Sequence, residues 1–265
     1  MQNIQMGWGM KNRLSRIINP KTGHCVMLAM DHGYFGNIPG QLKCFTDLNP
    51  LFDHADALML TRGMLRSCVA AEIDKPIVLR VSAGSSMMKE LSNEEINVTI
   101  EDAIRLNVSA ITCSIFVGGE YEKQTIMNLS KLVNWGQDYG IPVLAVTAVG
   151  REMARDARYL GMASRLAAEM GAHFVKTYYC DDFEDVTGIC PVPIVIAGGK
   201  KIPERDALQM AKNAIDKGAV GVDMGRNIFL SDSPIGMITA VGAIVHENAS
   251  VNEAYEIYEN GPKGL

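Results

Sequence analysis

Short apolar, β-branched runs recur along the chain, each closing on small or polar residues. They predict strands at Cys25–Met30, Ala57–Leu60, Ile77–Val81, Ala110–Phe116, Val143–Thr147, His173–Tyr178, Pro193–Ala197 and Val220–Met224, eight in all. Between most of them apolar residues return at helical spacing, which predicts helices over Asn93–Leu106, Tyr121–Tyr139, Met153–Met170 and Glu204–Lys217. Gly140, Gly171 and Gly218 each follow such a helix and precede a strand, where glycine supplies a left-handed C-terminal cap. Strands alternating with helices predict a parallel sheet, and eight of them in one unit predict a closed (β/α)8 TIM barrel. A doubly wound open sheet is the runner-up. The count of eight and the lack of a GxGxxG after the first strand argue against it.

The chain has 265 residues, 48% of them hydrophobic, close to the roughly 250 residues typical of such a barrel. A single domain over 1–265 is therefore expected, with residues 1–21 packing outside the barrel and 250–265 forming a final helix and polar tail. A net charge of −5 leaves no basic footprint for nucleic acid. No apolar run reaches the roughly 20 residues that span a bilayer, and the first residues do not read as a signal peptide. The six cysteines are scattered without a CxxC pair, which fits reduced thiols in a cytoplasmic protein. His24, His54, His173 and His246 show no metal-ligand spacing, so no metal site is expected.

Lys176 is the most informative residue. It stands mid-strand in His173-Phe174-Val175-Lys176-Thr177-Tyr178, a run otherwise suited to burial on both faces. An ammonium there must be paired, reach a cavity or lose its proton. Desolvation and a nearby cation each lower a lysine pKa and turn the amine into a nucleophile for carbonyl carbon. The plain alternative is a lysine whose head snorkels to solvent at the strand end.

Reactive groups of such barrels collect at the C-terminal ends of the strands, and here those ends are polar. They carry Asp31 and His32, Arg62, Arg80, Thr147, Lys176 and Tyr178, Gly198-Gly199-Lys200-Lys201, and Gly225-Arg226-Asn227. Asp31 follows an apolar strand, either as a proton-transfer group or as a turn cap. His32 is equally an acid/base group or a turn histidine. Arg62 and Arg80 bind substrate anions or close ion pairs over the barrel mouth. The glycines after strands seven and eight let backbone N–H groups approach an anion, and Lys200 and Arg226 add cations, so a phosphate is expected there. Two ordinary turns that need glycine for positive φ are the simpler account.

Together these residues resemble the class I aldolases grouped with archaeal fructose-bisphosphate aldolase and deoxyribose-phosphate aldolase. The resemblance rests on Met30-Asp31-His32-Gly33, Phe174-Val175-Lys176-Thr177-Tyr178, Ala197-Gly198-Gly199-Lys200-Lys201 and Gly221-Val222-Asp223-Met224-Gly225-Arg226. Within that group the chain is most similar to an acyl-transferring thiolase branch, from Trp8 to Glu256. Asp31-His32-Gly33-Tyr34-Phe35, Thr61-Arg62-Gly63 and Glu90-Leu91-Ser92-Asn93-Glu94 are especially specific. The resemblance implies that Lys176 matches the Schiff-base lysine, Asp31 the strand-one aspartate, and Gly198, Gly199, Gly225 and Arg226 the phosphate loops. It implies a small phosphorylated dicarbonyl as substrate, coenzyme A as co-substrate with no bound cofactor, and a ring-based homo-oligomer, often a decamer. No sequence signature for coenzyme A is present.

Many aldolases of the group carry a Tyr-Pro-Arg-Gly motif after strand five. Here the aligned stretch is Thr147-Ala148-Val149-Gly150, without the tyrosine, as in the thiolase branch. That favours acyl transfer over ordinary aldol cleavage of a sugar phosphate, which remains the alternative activity. A non-catalytic phosphosugar-binding barrel is the alternative of a different class. The loop Gly36–Gln41 departs from the thiolase pattern.

Overall fold

In the computed structural model, residues 6–35, 40–84, 91–149 and 154–265 are described. Eight parallel strands close into a barrel: β1 (Cys25–Ala29), β2 (Ala57–Thr61), β3 (Ile77–Arg80), β4 (Ala110–Val117), β5 (Val143–Val149), β6 (Phe174–Tyr178), β7 (Ile194–Ala197) and β8 (Gly221–Met224). Each pairs with the next in sequence, and β8 pairs with β1 through Cys25↔Gly221 to Leu28↔Met224. All eight expected strands form, with ends within two residues of the sequence reading.

The helices are α1 (Trp8–Ile17), α2 (Arg62–Cys68), α3 (Ile100–Arg105), α4 (Glu122–Tyr139), α5 (Ala157–Glu169), α6 (Phe183–Ile189), α7 (Glu204–Asp216), α8 (Arg226–Phe229), α9 (Pro234–Glu247) and α10 (Val251–Asn260). Between β1 and β2 the connection is a run of 3-10 turns over Gly40–His54, whose Leu48 and Leu51 are fully buried. Gly140, Gly171 and Gly218 all take positive φ, as the helix-to-strand caps require. The expected helix start at Met153 and most of the Gly36–Gln41 loop lie outside the described residues.

One sequence expectation needs correction. The helix expected over Asn93–Leu106 is confined to α3. Its first part instead pairs Glu95–Ile96 with Ser82–Ala83 in a small antiparallel hairpin, and the Asn97 N–H donates to the Val81 carbonyl at 2.9 Å. The hairpin prevails because Glu94 is drawn to full burial behind β3, and Thr99 then caps α3 by accepting from the Asp102 N–H. The N-terminal segment packs on the barrel at one end. Leu14, Ile17 and Ile18 join Cys25, Met27, Met59, Val78, Leu144, Phe174 and Val195 in one buried cluster within the barrel. Helix α1 therefore plugs the end at which the strands begin.

The alternation along the strands explains both cores. Outward residues such as Leu28, Leu58, Leu79, Ile111, Val175, Ile196 and Val222 pack under the helices. Inward residues are apolar at the plugged end and turn polar toward the other: Met27 gives way to Asp31, Val78 to Arg80, Ala110 to Thr112 and Ser114, and Phe174 to Lys176. The barrel is apolar below and charged above.

Candidate active site

At the charged end lies a cavity of about 230 Å³, walled by Asp31, His32, Tyr34, Arg80, Glu94, Ser114, Thr147, Lys176, Tyr178, Gly198, Gly199, Asp223, Gly225 and Arg226 among others. Every strand except β2 contributes, and Glu94 comes from the hairpin after β3. Lys176 points inward because Phe174, two residues earlier, belongs to the inner cluster. It is only 8% exposed. Its ammonium nitrogen stands 2.8 Å from Asp223 Oδ2 and 3.8 Å from the Met59 sulfur. The strand-end snorkel is excluded by this burial.

Asp223 was not singled out from the sequence as a site residue. The signal was present: a carboxylate mid-strand is as conspicuous as a lysine, and β8 places it two residues from Gly221 and Gly225 on the inner face. It is fully buried, and that burial pushes its pKa up against the opposing pull of Lys176. Oδ1 has no hydrogen-bond partner among the described residues.

Asp31 behaves differently. Burial pushes its carboxyl up, but the charges of Arg80, Lys176 and His32 and the hydrogen bond from Arg80 outweigh it, so its pKa is lowered. Arg80 Nε donates to Oδ2 at 3.0 Å with both side chains buried, so of the two roles left open for Arg80 it takes the ion pair. Arg80 Nη1 also donates to Ser114 Oγ at 2.9 Å, and its guanidinium lies 4.9 Å from the centre of the Tyr34 ring. Tyr34 donates to Glu94 Oε1 at 3.0 Å and shares a contact of 3.2 Å with Ser114. Ser82 donates to the other Glu94 oxygen at 2.7 Å. Tyr34 and Glu94 fall in stretches that carry the family resemblance, but neither was assigned a role from it.

His32 packs edge-on against Phe229, with ring centres 5.8 Å apart. Burial lowers its pKa to about 4, with Lys176, Arg226 and Arg80 adding to the shift and Asp31 opposing it. The imidazole is thus neutral near pH 7. Thr147 lines the cavity, but its hydroxyl donates to Thr177 Oγ1 at 2.7 Å, across β5 and β6.

At the ends of β7 and β8, Gly198, Gly199, Gly225 and Arg226 face the same cavity. Gly199 has φ +68°, which favours glycine. Gly225 is packed so closely that a Cβ would strike the Ala29 carbonyl and the His32 ring. Arg226 Nε is buried without a partner among the described residues. Asn227 ties the two ends together, donating to the Gly198 carbonyl at 2.6 Å.

Two of the residues expected to bind substrate stand elsewhere. Lys200 is exposed and does not wall the cavity. Arg62 begins α2, and its Nη1 pairs with Asp102 Oδ2 at 3.0 Å beside Arg66. It borders a separate cavity of about 440 Å³. The ion-pair role is the one it takes, because Asp102 on α3 is buried and needs a counter-charge.

A family model for the DeoC/LacD aldolases matches residues 25–231. A protein of Klebsiella pneumoniae named 3-hydroxy-5-phosphonooxypentane-2,4-dione thiolase is 56% identical over 261 residues, 98% of this chain and 88% of its own length. One of the same name from Photorhabdus laumondii is 55% identical over 255 residues, 96% of this chain and 88% of its own. Among solved structures, an archaeal fructose 1,6-bisphosphate aldolase superposes with a TM-score of 0.79 at 22% identity, over 91% of this chain and all of that one. That likeness speaks for the barrel alone. The family match runs from the first barrel strand to the residues just past α8, and so spans every strand that walls the cavity. On that match the chain belongs to the DeoC/LacD family of aldolases.

Proposed function

We propose that the protein is a lysine-dependent thiolase. It would transfer the acetyl group of 3-hydroxy-5-phosphonooxypentane-2,4-dione to coenzyme A and release dihydroxyacetone phosphate. The observation that carries this reading is Lys176, buried on a cavity and 2.8 Å from a carboxylate, in a chain about 55% identical to relatives bearing that name.

Lys176 Nζ adds to the ketone next to the phosphate-bearing carbon, and loss of water gives an iminium ion. Asp223 is placed to take the ammonium proton that must leave before the amine can attack, since burial raises its affinity for a proton. The coenzyme A sulfur bonds to the acetyl carbonyl carbon, and the bond from that carbon to the hydroxyl-bearing carbon breaks. The electron pair flows into the iminium nitrogen and leaves an enamine. Protonation of the enamine carbon and hydrolysis of the imine release dihydroxyacetone phosphate and restore the lysine. Asp31, held ionised by Arg80, supplies a fixed negative charge beside the cationic intermediates. His32, neutral, offers a hydrogen bond. Gly198, Gly199, Gly225 and Arg226 would receive the phosphate. Thr147 would shape the wall between them, its hydroxyl being engaged with Thr177.

The reading is tested by product analysis with the phosphorylated dione, with and without coenzyme A. Acetyl-coenzyme A and dihydroxyacetone phosphate in equal amounts are expected only when the thiol is present. Cleavage at the same rate without coenzyme A, with release of acetate, would make water the acyl acceptor and overturn the thiolase reading, whereas cleavage of a sugar phosphate with no turnover of the dione would favour the aldolase. A cytoplasmic setting accords with Cys25, Cys68, Cys113, Cys180 and Cys190, all free thiols. No helix among the described residues is long and apolar enough to cross a membrane. A homo-oligomer is supported by Trp8, 81% exposed, on the side where Arg13 of α1 donates to the Gly140 carbonyl at the end of α4.

A further inference from the structure

The scheme above leaves one step without a donor: the enamine carbon exposed by departure of the acetyl group needs a proton. Three carboxyl groups wall the cavity among the described residues, Asp31, Glu94 and Asp223. Asp31 is committed to Arg80 in a buried ion pair, and the proton that Asp223 takes from Lys176 is used to expel the carbinolamine hydroxyl as water when the imine forms. His32 is neutral and the Thr147 hydroxyl is engaged, so neither is a ready acid.

We propose that Glu94 is the catalytic acid that delivers this proton; the inference rests on the thiolase reading for the identity of the carbon. Glu94 is fully buried yet borders the cavity that Lys176 enters. Unlike the two aspartates, it makes no ion pair among the described residues. Its carboxyl is fixed by hydroxyls, Ser82 on one oxygen and Tyr34 on the other. Its backbone carbonyl accepts from Asn128 Nδ2 at 2.8 Å, which ties the hairpin to α4. Burial outweighs Arg80 and the two hydroxyl hydrogen bonds, which favour the ionised carboxyl.

The Tyr34 hydroxyl has Ser114 Oγ as a second partner, 3.2 Å away. It can therefore turn from Glu94 and let that carboxyl oxygen carry hydrogen. The charged and titratable groups that act on Glu94 are Arg80 and Asp31, of opposite effect, and the Tyr34 phenol. Burial is the largest influence, and the net direction of its pKa is upward, toward the protonated form.

The step balances without an oxidant or reductant. A sulfur–carbon bond forms and a carbon–carbon bond breaks. The Glu94 proton goes to the enamine carbon, and the proton lost by the thiol returns through solvent to Glu94.

The same proton transfer can be followed without coenzyme A. Dihydroxyacetone phosphate alone, bound as an imine, should exchange a hydrogen of its hydroxymethyl carbon for deuterium in heavy water. Glu94→Gln keeps the shape and can bond Ser82 and Tyr34, but carries no titratable proton. It should slow exchange by about a hundredfold or more, the usual scale for general acid–base groups, while borohydride still fixes dihydroxyacetone phosphate to Lys176 as in the wild type. Tyr34→Phe, which keeps the ring over Arg80, should slow exchange less and serves if the first variant is unstable. Glu94→Gln exchanging at the wild-type rate would overturn the proposal, as would a parallel loss of imine trapping, which would mark Glu94 as a shaping residue only. A wild type that exchanges but makes no acetyl-coenzyme A would sink the thiolase reading and leave the role of Glu94 standing.

Discussion

A lysine inside a barrel is retained only where its surroundings make use of the charge, and Lys176 has one carboxylate and one thioether in reach. Lys176→Arg keeps the cation beside Asp223 but cannot form an imine. Activity should fall by several orders of magnitude with the fold retained, and borohydride with substrate should add mass to the wild type alone. Label on Lys200 or Lys201 would move the chemistry elsewhere. A second buried residue bears on pH. His173 is 2% exposed just before β6, its Nδ1 accepts the Val143 N–H at 3.1 Å, and burial lowers its pKa to about 4. The unfolded chain binds a proton below its ordinary value of about 6.5, whereas the folded chain refuses it until about pH 4. Stability from this group is therefore present at neutral pH and lost as pH falls through that window. His32 has the same sign, while the raised Glu94 and Asp223 have the opposite one, so only a difference isolates the effect. The gap in unfolding free energy between wild type and His173→Gln should shrink by about 2 kcal/mol from pH 7 to pH 5, measured in denaturant. An unchanged gap would mean that His173 is protonated in the folded state.

At the scale of elements, the strands were legible because each is an apolar run bounded by turn residues, and their inward and outward sets are separated by the simple alternation of a strand. Glu94 shows what was not legible. With Asn93 and Glu95 beside it, it reads as the polar start of a helix, whereas its burial depends on Ser82, Tyr34 and Asn128, all distant in sequence. Arg62 was hidden for the same reason, since nothing local to β2 announces Asp102. The plug at the other end of the barrel rests mainly on apolar contact, with Arg13 donating to the Gly140 carbonyl and Arg16 pairing with Asp74 at its edge. Ile17 is fully buried against the inner cluster, so Ile17→Ala should destabilise by roughly 2–5 kcal/mol. Because the plug touches the apolar layer and not the charged one, imine trapping on Lys176 should persist under native conditions. A midpoint of denaturation within error of the wild type would show that α1 is dispensable to the barrel. Loss of trapping in a still-folded variant would show that the two layers are coupled.

Across the whole molecule, the ring divides its work by angle. Lys176 on β6, Asp223 on β8, Arg80 on β3 and Asp31 just after β1 meet in the charged layer, while the loops after β7 and β8 stand above it with glycine backbone and Arg226. The division predicts that recognition can be weakened without removing the nucleophile. Arg226→Ala takes away one charge-assisted contact to a phosphate, worth roughly 1.5–3 kcal/mol, or about tenfold to over a hundredfold in affinity. The dephosphorylated dione lacks the partner in both enzymes, so its binding should change little. Arg226→Lys should recover only part of the loss, because a point charge cannot reproduce a two-pronged contact. Equal losses for the phosphorylated and dephosphorylated compounds, measured by binding, would mean that Arg226 serves the packing around α8. Gly198 and Gly199 would then be turn glycines and no more. If the phosphorylated compound alone is affected while borohydride still labels Lys176 at saturating substrate, the β7–β8 side holds the substrate and the β6 side transforms it.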